Sequence, residues 1–152
     1  MIIRISKSAG VVVEARELKL SVNPASNVSA TLTLRTKIEL PVVSAGPEII
    51  QGPGEYEVAG IKVRGISLEK ESSAKLLATA YIVDMDDLRL CFLPQSVKSF
   101  DEGFLDQLDE VDMYVKVLAE ELGQSVESVD KLSIKKKDIN EGETKLVWIK
   151  EK

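Results

Sequence analysis

Residues 49–66 read IIQGPGEYEVAGIKVRGI, and this stretch says most about the fold. Gly52-Pro53-Gly54 is a turn signal, because glycine accepts backbone angles that other residues avoid and proline fixes its own φ. The segments 55–58 and 61–66 follow the turn and are separated by Ala59-Gly60, a spacing typical of a tight connection. The sequence therefore predicts a β-hairpin directly after a turn.

The segments before this hairpin also show the period of two expected of half-buried strands. Residues 17–22 alternate between apolar and polar side chains, and Asn23-Pro24 ends the run because proline cannot donate to a sheet ladder. Residues 31–34 alternate again, and Thr31 and Thr33 are expected on an exposed sheet face. The side chains predicted to face the core in the first of these strands are Leu18, Leu20 and Val22.

Two strongly apolar segments follow the hairpin. Residues 76–83 are almost all apolar, which predicts a strand buried on both faces. Asp86-Asp87 is read as the turn into a second apolar strand over 88–93. These two strands are expected to be central antiparallel neighbours.

The last third of the chain changes character. Ser99 and Glu102 fit a capping box, with Phe104, Leu105 and Leu108 on one helical face. Residues 111–122 fit both periods, and we expect a short strand that runs into a helix ending at Gly123. Strands are predicted at 1–5, 131–135 and 145–149.

Composition limits the possible functions. The 152 residues are expected to form one domain over 1–152, and the net charge of −5 argues against binding to nucleic acid or to an anionic membrane. No apolar run approaches the roughly 18 residues that span a bilayer, so a cytoplasmic location is the expectation. The only cysteine, Cys91, is expected to be a small buried hydrophobe.

Histidine is absent from the chain, which excludes Ser-His-Asp and Cys-His catalysis. Glu55 and Glu57 alternate with Tyr56 and are expected to share the solvent face of a strand, although paired carboxylates can do acid–base work. The densest acidic group, Asp84 with Asp86-Asp87, is interpreted as turn residues rather than a cation site. No cofactor is expected.

Several segments together resemble the metallo-β-lactamase-fold hydrolases, in particular a compact branch similar to ascorbate-phosphate lactonases. Residues 49–58 are the most specific part, residues 60–66 continue it, and Asn23-Pro24 matches a strand that ends in Asp-Pro in the family. The resemblance implies an α+β fold: a reduced αββα sandwich, mostly antiparallel, with one or two outer helices. In such enzymes a zinc ion activates water near neutral pH.

The departures from the family fall on its metal ligands. Lys7-Ser8-Ala9 stands where the family has Gly-His-Ser, and residues 35–40 replace the His-x-His-x-Asp-His signature in a shortened loop. Phe92-Leu93-Pro94-Gln95 replaces His-Leu-Gly-Asp, and the segment with the last ligand histidine, near 114–117, is read as deleted. The former site positions are Ser8, Asn23, Thr36, Ile38, Phe92 and Gln95.

Three functions are compatible with this pattern. The first is a non-catalytic binding or protein-interaction module, in which a protein partner or a second copy of the chain covers the opened face. The second is a metal-dependent hydrolase with a rebuilt, histidine-free site that acts on esters or phosphodiesters. The third is a small β-sandwich carrier whose resemblance is convergent, with an apolar pocket at the old metal face.

Overall fold

The computed structural model describes residues 1–6, 10–94, 96–97, 102–108, 111–118, 131–133 and 145–150. Strands form most of the regular structure in these residues. A 3₁₀ turn spans Glu69–Glu71 and a helix, α1, spans Glu102–Asp106. In chain order the strands are β1 (Ile2–Ser6), β2 (Gly10–Ala15), β3 (Leu18–Val22), β4 (Leu32–Arg35), β5 (Lys37–Glu39), β6 (Ile49–Gln51), β7 (Gly54–Val58), β8 (Ile61–Ser67), β9 (Leu76–Met85), β10 (Leu88–Phe92), β11 (Met113–Leu118), β12 (Lys131–Ser133) and β13 (Lys145–Lys150).

The described strands form two sheets. The first has the order β12-β1-β2-β3-β4-β6, and the second has the order β13-β11-β10-β9-β8-β7, with β5 paired to β9. Antiparallel pairing predominates, whereas β3-β4-β6 and β10-β11-β13 are parallel. The fold is therefore sheet-rich. The helix content described is the short α1 and the 3₁₀ turn, so the expected outer helices stay a prediction.

The main core lies between the two sheets. Leu20 and Leu34 of the first sheet and Tyr81 and Leu90 of the second are fully buried in one apolar cluster. A second cluster covers the other face of β9 and β10, where Phe104 of α1 packs with residues such as Ala80 and Cys91. The predicted burial on both faces is confirmed for residues 78–83, whereas Leu76 and Leu77 at the start of the predicted segment are half-buried.

The predicted hairpin is confirmed as β7 and β8, with Val58 opposite Ile61. Ala59 and Gly60 have φ values of 51° and 83°, and positive angles at both central residues are what a type I′ connection needs. The Gly52-Pro53-Gly54 turn packs directly on β8. A Cβ at Gly65 would lie 2.7 Å from the Gly52 carbonyl oxygen, so a larger residue has no room there.

Other strand predictions are also confirmed. Leu20 and Val22 are buried and Leu18 packs against the core. Asp86 and Asp87 have positive φ values and turn β9 into its antiparallel neighbour β10, at the centre of the second sheet. Strands are present at β1, β12 and β13, close to the predicted 1–5, 131–135 and 145–149.

One sequence prediction is wrong, and two others concern residues that the structure does not describe. Thr33 lies on the face opposite Leu32 and Leu34, as its alternation requires, but it is 5% exposed and therefore buried rather than exposed. The ambiguous stretch after residue 111 forms strand β11, whose parallel neighbours β10 and β13 fix it from both sides. Ser99 and the helix expected to end at Gly123 lie outside the described residues.

Candidate functional site

Four of the six predicted former site positions lie among the described residues, three of them close to the end of a strand. Asn23 follows β3, Thr36 connects β4 to β5, Ile38 is the middle residue of β5, and Phe92 ends β10. Ser8 and Gln95 lie outside the described residues. Asn23 and Thr36 are joined directly by hydrogen bonds.

The side chain of Asn23 makes two hydrogen bonds to Thr36, an arrangement called here the Asn23–Thr36 clasp. The Asn23 amide Nδ2 donates to Thr36 Oγ1 at 2.7 Å, and the Thr36 backbone N–H donates to Asn23 Oδ1 at 2.8 Å. The backbone N–H of Asn23 also donates to the Leu34 carbonyl at 2.9 Å. Asn23 has a φ of 54°, a left-handed conformation that asparagine tolerates better than most residues. The polar groups of Asn23 are therefore used to hold two strand ends together.

Thr36 is also tied to the second sheet. The Thr79 N–H donates to the Thr36 carbonyl at 2.8 Å, which extends the β5–β9 ladder by one residue beyond Lys37 and Ala78. Thr36 is 1% exposed and Thr79 is fully buried. Thr36 therefore connects the clasp between β3 and β4 of the first sheet to β9 of the second, with Thr36 and Thr79 buried and Asn23 exposed.

The two remaining positions are apolar and buried. Ile38 is 5% exposed and lies opposite Leu77 in the β5–β9 pairing. Phe92 is 1% exposed, lies opposite Tyr81, and belongs to the main core. Neither side chain carries an atom that could coordinate a metal ion, and both contribute to packing instead.

Tyr81 is a structurally important residue at this end of the sheets that the sequence analysis did not single out. Its hydroxyl accepts a hydrogen bond from the Gly52 N–H at 2.8 Å and donates to the Arg35 carbonyl at 2.7 Å. Burial raises the pKa of Tyr81 to about 12, so the hydroxyl stays protonated at neutral pH. The available signal was a tyrosine inside an otherwise apolar buried strand, since a buried hydroxyl needs a partner. Tyr81 therefore connects the Gly52-Pro53-Gly54 turn to the residue before Thr36.

The residues present do not fit the zinc ion that the fold family implies. A zinc site needs several nitrogen, sulfur or carboxylate donors that converge at about 2 Å. The chain has no histidine, and the described residues contain no group of three His, Cys, Asp or Glu side chains placed to hold a metal. The one cysteine, Cys91, is fully buried in the second apolar cluster, and burial raises the pKa of its thiol to about 12.

Two of the three residues of the acidic group, Asp84 and Asp86, form ion pairs, in agreement with their interpretation as turn residues. Arg89 donates to both carboxylate oxygens of Asp84, at 2.6 and 3.0 Å. Asp86 lies 3.3 Å from Arg16 and 3.7 Å from the amino group of Met1. Local cations therefore balance these carboxylates.

Two of the cavities on the second sheet have several charged side chains in their walls, and neither is lined by a former site position. One of about 470 Å³ is lined by charged side chains of both signs on β7 to β10, among them Glu57, Lys62 and Arg64. Another of about 510 Å³ lies beside the Asp86-Asp87 turn. Glu55 and Glu57 are exposed, as expected for a solvent face. Neither cavity is the apolar pocket at the old metal face that the carrier hypothesis requires.

The fold and the family comparison agree on the class of protein. A family model described as a beta-lactamase superfamily domain matches residues 8–134, so the chain belongs to the β-lactamase superfamily. The resemblance to this superfamily inferred from the sequence is thereby confirmed, while the lactonase-like branch stays a prediction.

One solved structure shares this fold. It is the crystal structure of a Thermotoga maritima protein assigned as a Zn-dependent hydrolase of the metallo-β-lactamase superfamily. It superimposes with a TM-score of 0.70 over 98% of both chains at 14% identity, and identity this low supports the fold alone. No curated protein matches the chain. None of the described helices is long and apolar enough to cross a membrane.

Proposed function

We propose that this chain is a non-catalytic member of the superfamily that acts as a binding or protein-interaction module. The proposal rests on what occupies the predicted former site positions. Asn23 and Thr36 are hydrogen-bonded to each other in the clasp, and Ile38 and Phe92 are buried apolar side chains. We also take the fold as a reduced αββα sandwich with one or two outer helices.

Coordination chemistry supports the loss of catalysis. Activation of water at neutral pH requires a metal held by strong donors, with one coordination position left open. An amide oxygen and a hydroxyl are weak neutral donors, and both are already used in hydrogen bonds at 2.7 and 2.8 Å. A metal would have to break both bonds and would find only carbon atoms at Ile38 and Phe92.

Elemental analysis with a turnover screen tests the loss of catalysis. The chain is purified from zinc-supplemented medium, dialysed, analysed for bound metal, and then assayed with a p-nitrophenyl ester, a lactone and bis-p-nitrophenyl phosphate. We expect substoichiometric zinc and no turnover above the buffer rate. The alternative, a hydrolase with a rebuilt site, requires stoichiometric metal together with turnover.

Two further steps sharpen the experiment. Turnover that stays with the chain and its metal through a further chromatographic step would contradict the proposal, whereas turnover that separates from the chain belongs to a contaminating enzyme. Native mass spectrometry of the same sample tests the binding part of the proposal. It should show a second chain or a defined bound partner, and a bare monomer at every concentration would contradict the interaction role.

A further inference from the structure

Strand β7 lies at the edge of the second sheet, and its outer side pairs with no strand among the described residues. Val58 and Ile61 flank the two-residue turn and form a pair that exchanges both backbone hydrogen bonds. Bonded and non-bonded pairs alternate along an antiparallel ladder, so the next bonded pair contains Tyr56. The backbone N–H and C=O groups of Glu55 and Glu57 therefore point away from β8, toward the open side of the sheet.

The side chains of β7 divide between the two faces of the sheet. Glu55 and Glu57 are exposed on the outer face, where they line the cavity of about 470 Å³. Tyr56 and Val58 lie on the inner face, where they pack against the main core and are half-buried. A strand added beside β7 would place alternate residues against the glutamates and against the uncovered parts of Tyr56 and Val58. The edge therefore fits a partner whose side chains alternate with a period of two.

Charges alternate in sign across the outer face of the second sheet and end in a glutamate at the edge. In the strand register each residue of this row lies opposite the next: Arg89 on β10, Asp84 on β9, Lys62 on β8 and Glu57 on β7. Opposite charges on facing residues stabilise a strand pair, and like charges destabilise it. A strand beside Glu57 therefore continues the alternation only if it carries a positive side chain there.

Glu55 repeats this arrangement at the other end of the strand. It lies opposite Arg64 of β8, so a positive residue precedes it across the sheet, as Lys62 precedes Glu57. The strand that fits this edge therefore has two Lys or Arg residues separated by one apolar residue. A second copy of this chain does not fit, because pairing β7 with itself places glutamates against glutamates.

We propose that β7 binds an extended basic segment of another protein as an additional strand, an inference that rests on the interaction role proposed above and names its surface and its partner. Backbone hydrogen bonds at Glu55 and Glu57 provide the affinity, and the alternation of basic and apolar side chains provides the selectivity. A single short strand buries little area, so an isolated peptide should bind with a Kd on the order of 0.1 mM.

Hydrogen exchange of individual amides, measured by NMR, tests this contact directly. In the free chain the amide protons of Glu55 and Glu57 should exchange rapidly, while those of Tyr56 and Val58 are protected by β8. The probe Ac-Thr-Lys-Val-Lys-Val-Thr-amide at about 1 mM, ten times the expected Kd, should slow exchange at Glu55 and Glu57 about tenfold. Exchange that is already slow in the free chain would show that a second copy or another segment occupies the edge, and would overturn the inference.

Matched peptides separate strand pairing from simple charge attraction. Ac-Thr-Lys-Lys-Val-Val-Thr-amide has the same composition without the alternation, and it should bind at least about tenfold more weakly. N-methylation of one alternating pair of amides, the lysines or the valines, should abolish binding, while methylation of the other pair should leave the Kd within about threefold, because only one set faces β7. Equal effects of the two methylations, or equal binding of the rearranged peptide, would overturn the inference.

Charge reversal on the chain tests the role of the two glutamates. The double variant Glu55→Lys with Glu57→Lys should bind the alternating lysine peptide at least about tenfold more weakly and should bind Ac-Thr-Glu-Val-Glu-Val-Thr-amide instead. Glu17→Lys with Glu69→Lys is the matched control, because both residues are exposed, lie outside β7 and change the net charge equally. Circular dichroism verifies that both variants are folded. Equal loss of binding in the two double variants would show attraction to net charge alone and would overturn the inference.

The proposed function fails separately. Ester or phosphodiester turnover with bound metal would refute the non-catalytic role whatever the peptide experiments show. A second chain or a bound partner in the native mass spectrum, with exchange at Glu55 and Glu57 unchanged by the peptide, would refute strand addition and leave the interaction role intact.

Discussion

Truncation of Asn23 should measure how much the Asn23–Thr36 clasp stabilises the fold. Asn23→Ala removes a 2.7 Å hydrogen bond to Thr36 Oγ1 and leaves the Thr36 N–H without its acceptor at 2.8 Å. Thr36 is 1% exposed, and an unsatisfied buried donor costs about 1–3 kcal/mol. Alanine also accepts the φ of 54° poorly, at a cost of about 1 kcal/mol. The exposure of Asn23 itself reduces these costs, because water can replace part of what is lost.

We therefore expect Asn23→Ala to lower the free energy of unfolding by about 3 kcal/mol, within the usual range for lost buried hydrogen bonds and strained φ angles. In a domain of this size that corresponds to a fall in Tm of about 6–12 °C. Urea and thermal denaturation, followed by circular dichroism, give both values.

Two variants at the same position separate the causes. Asn23→Gly loses the same hydrogen bonds but accepts the left-handed φ, so we expect a smaller loss of about 2 kcal/mol. Asn23→Asp keeps an acceptor for the Thr36 N–H, and its second oxygen can accept from the Thr36 hydroxyl, so we expect a loss within about 1 kcal/mol. If Asn23→Ala proved as stable as Asn23→Asp, the clasp would contribute nothing and the structural role assigned to it would be wrong.

Substitutions at Tyr81 and Gly65 and chemical labelling of Cys91 test the core around the site. Tyr81→Phe leaves the Gly52 N–H and the Arg35 carbonyl without a partner and should cost about 2–3 kcal/mol in urea unfolding. Burial raises the pKa of Tyr81 from its ordinary 10.0 to about 12, so the stability that this hydroxyl contributes is complete below pH 10 and is lost as the pH rises to 12. The difference in free energy of unfolding between wild type and Tyr81→Phe should therefore shrink from pH 10 to pH 12. A difference that grew over this range would contradict the role assigned to Tyr81. Cys91 is fully buried, and burial raises its pKa to about 12. A disulfide reagent at about pH 8 should therefore label Cys91 only as fast as the chain unfolds. Rapid labelling of the native protein would show instead that the thiol is accessible. Gly65→Ala places a Cβ 2.7 Å from the Gly52 carbonyl oxygen and should lower the free energy of unfolding by about 2–3 kcal/mol. Gly60→Ala should cost only about 1 kcal/mol, because its Cβ meets open space and only the φ of 83° is unfavourable. Equal losses in the two variants would contradict the close packing of Gly65 on Gly52.

Local patterns predicted the strands whose environment follows from their own residues. The β7–β8 hairpin depends on Ala59-Gly60, and the burial of β9 depends on its continuous apolar run. The predicted exposure of Thr33 was wrong, because alternation gives the face of the sheet on which a side chain lies but not what covers that face. The stretch after residue 111 fitted both periods, and it forms β11 because of pairing with β10 and β13, which no local pattern reports.

The candidate site was located from the sequence only through the family resemblance. The resemblance marked Asn23 and Thr36 as former ligand positions, but their mutual hydrogen bonds follow from the parallel register of β3 and β4, in which Val22 lies opposite Leu34. That register depends on contacts between distant parts of the chain. The role of Tyr81 was missed for the same reason, since its partners Gly52 and Arg35 are far from it in sequence.

Stability measured with and without zinc tests most directly whether hydrogen bonds have replaced the metal at the former ligand positions. A ligand that binds only the folded state at one hundred times its Kd raises the free energy of unfolding by about 2.7 kcal/mol. Urea midpoints of wild type should be the same in EDTA and in excess zinc. A saturable rise of the midpoint in zinc that is reversed by EDTA and lost in Asn23→Ala would show that the site still holds a metal ion.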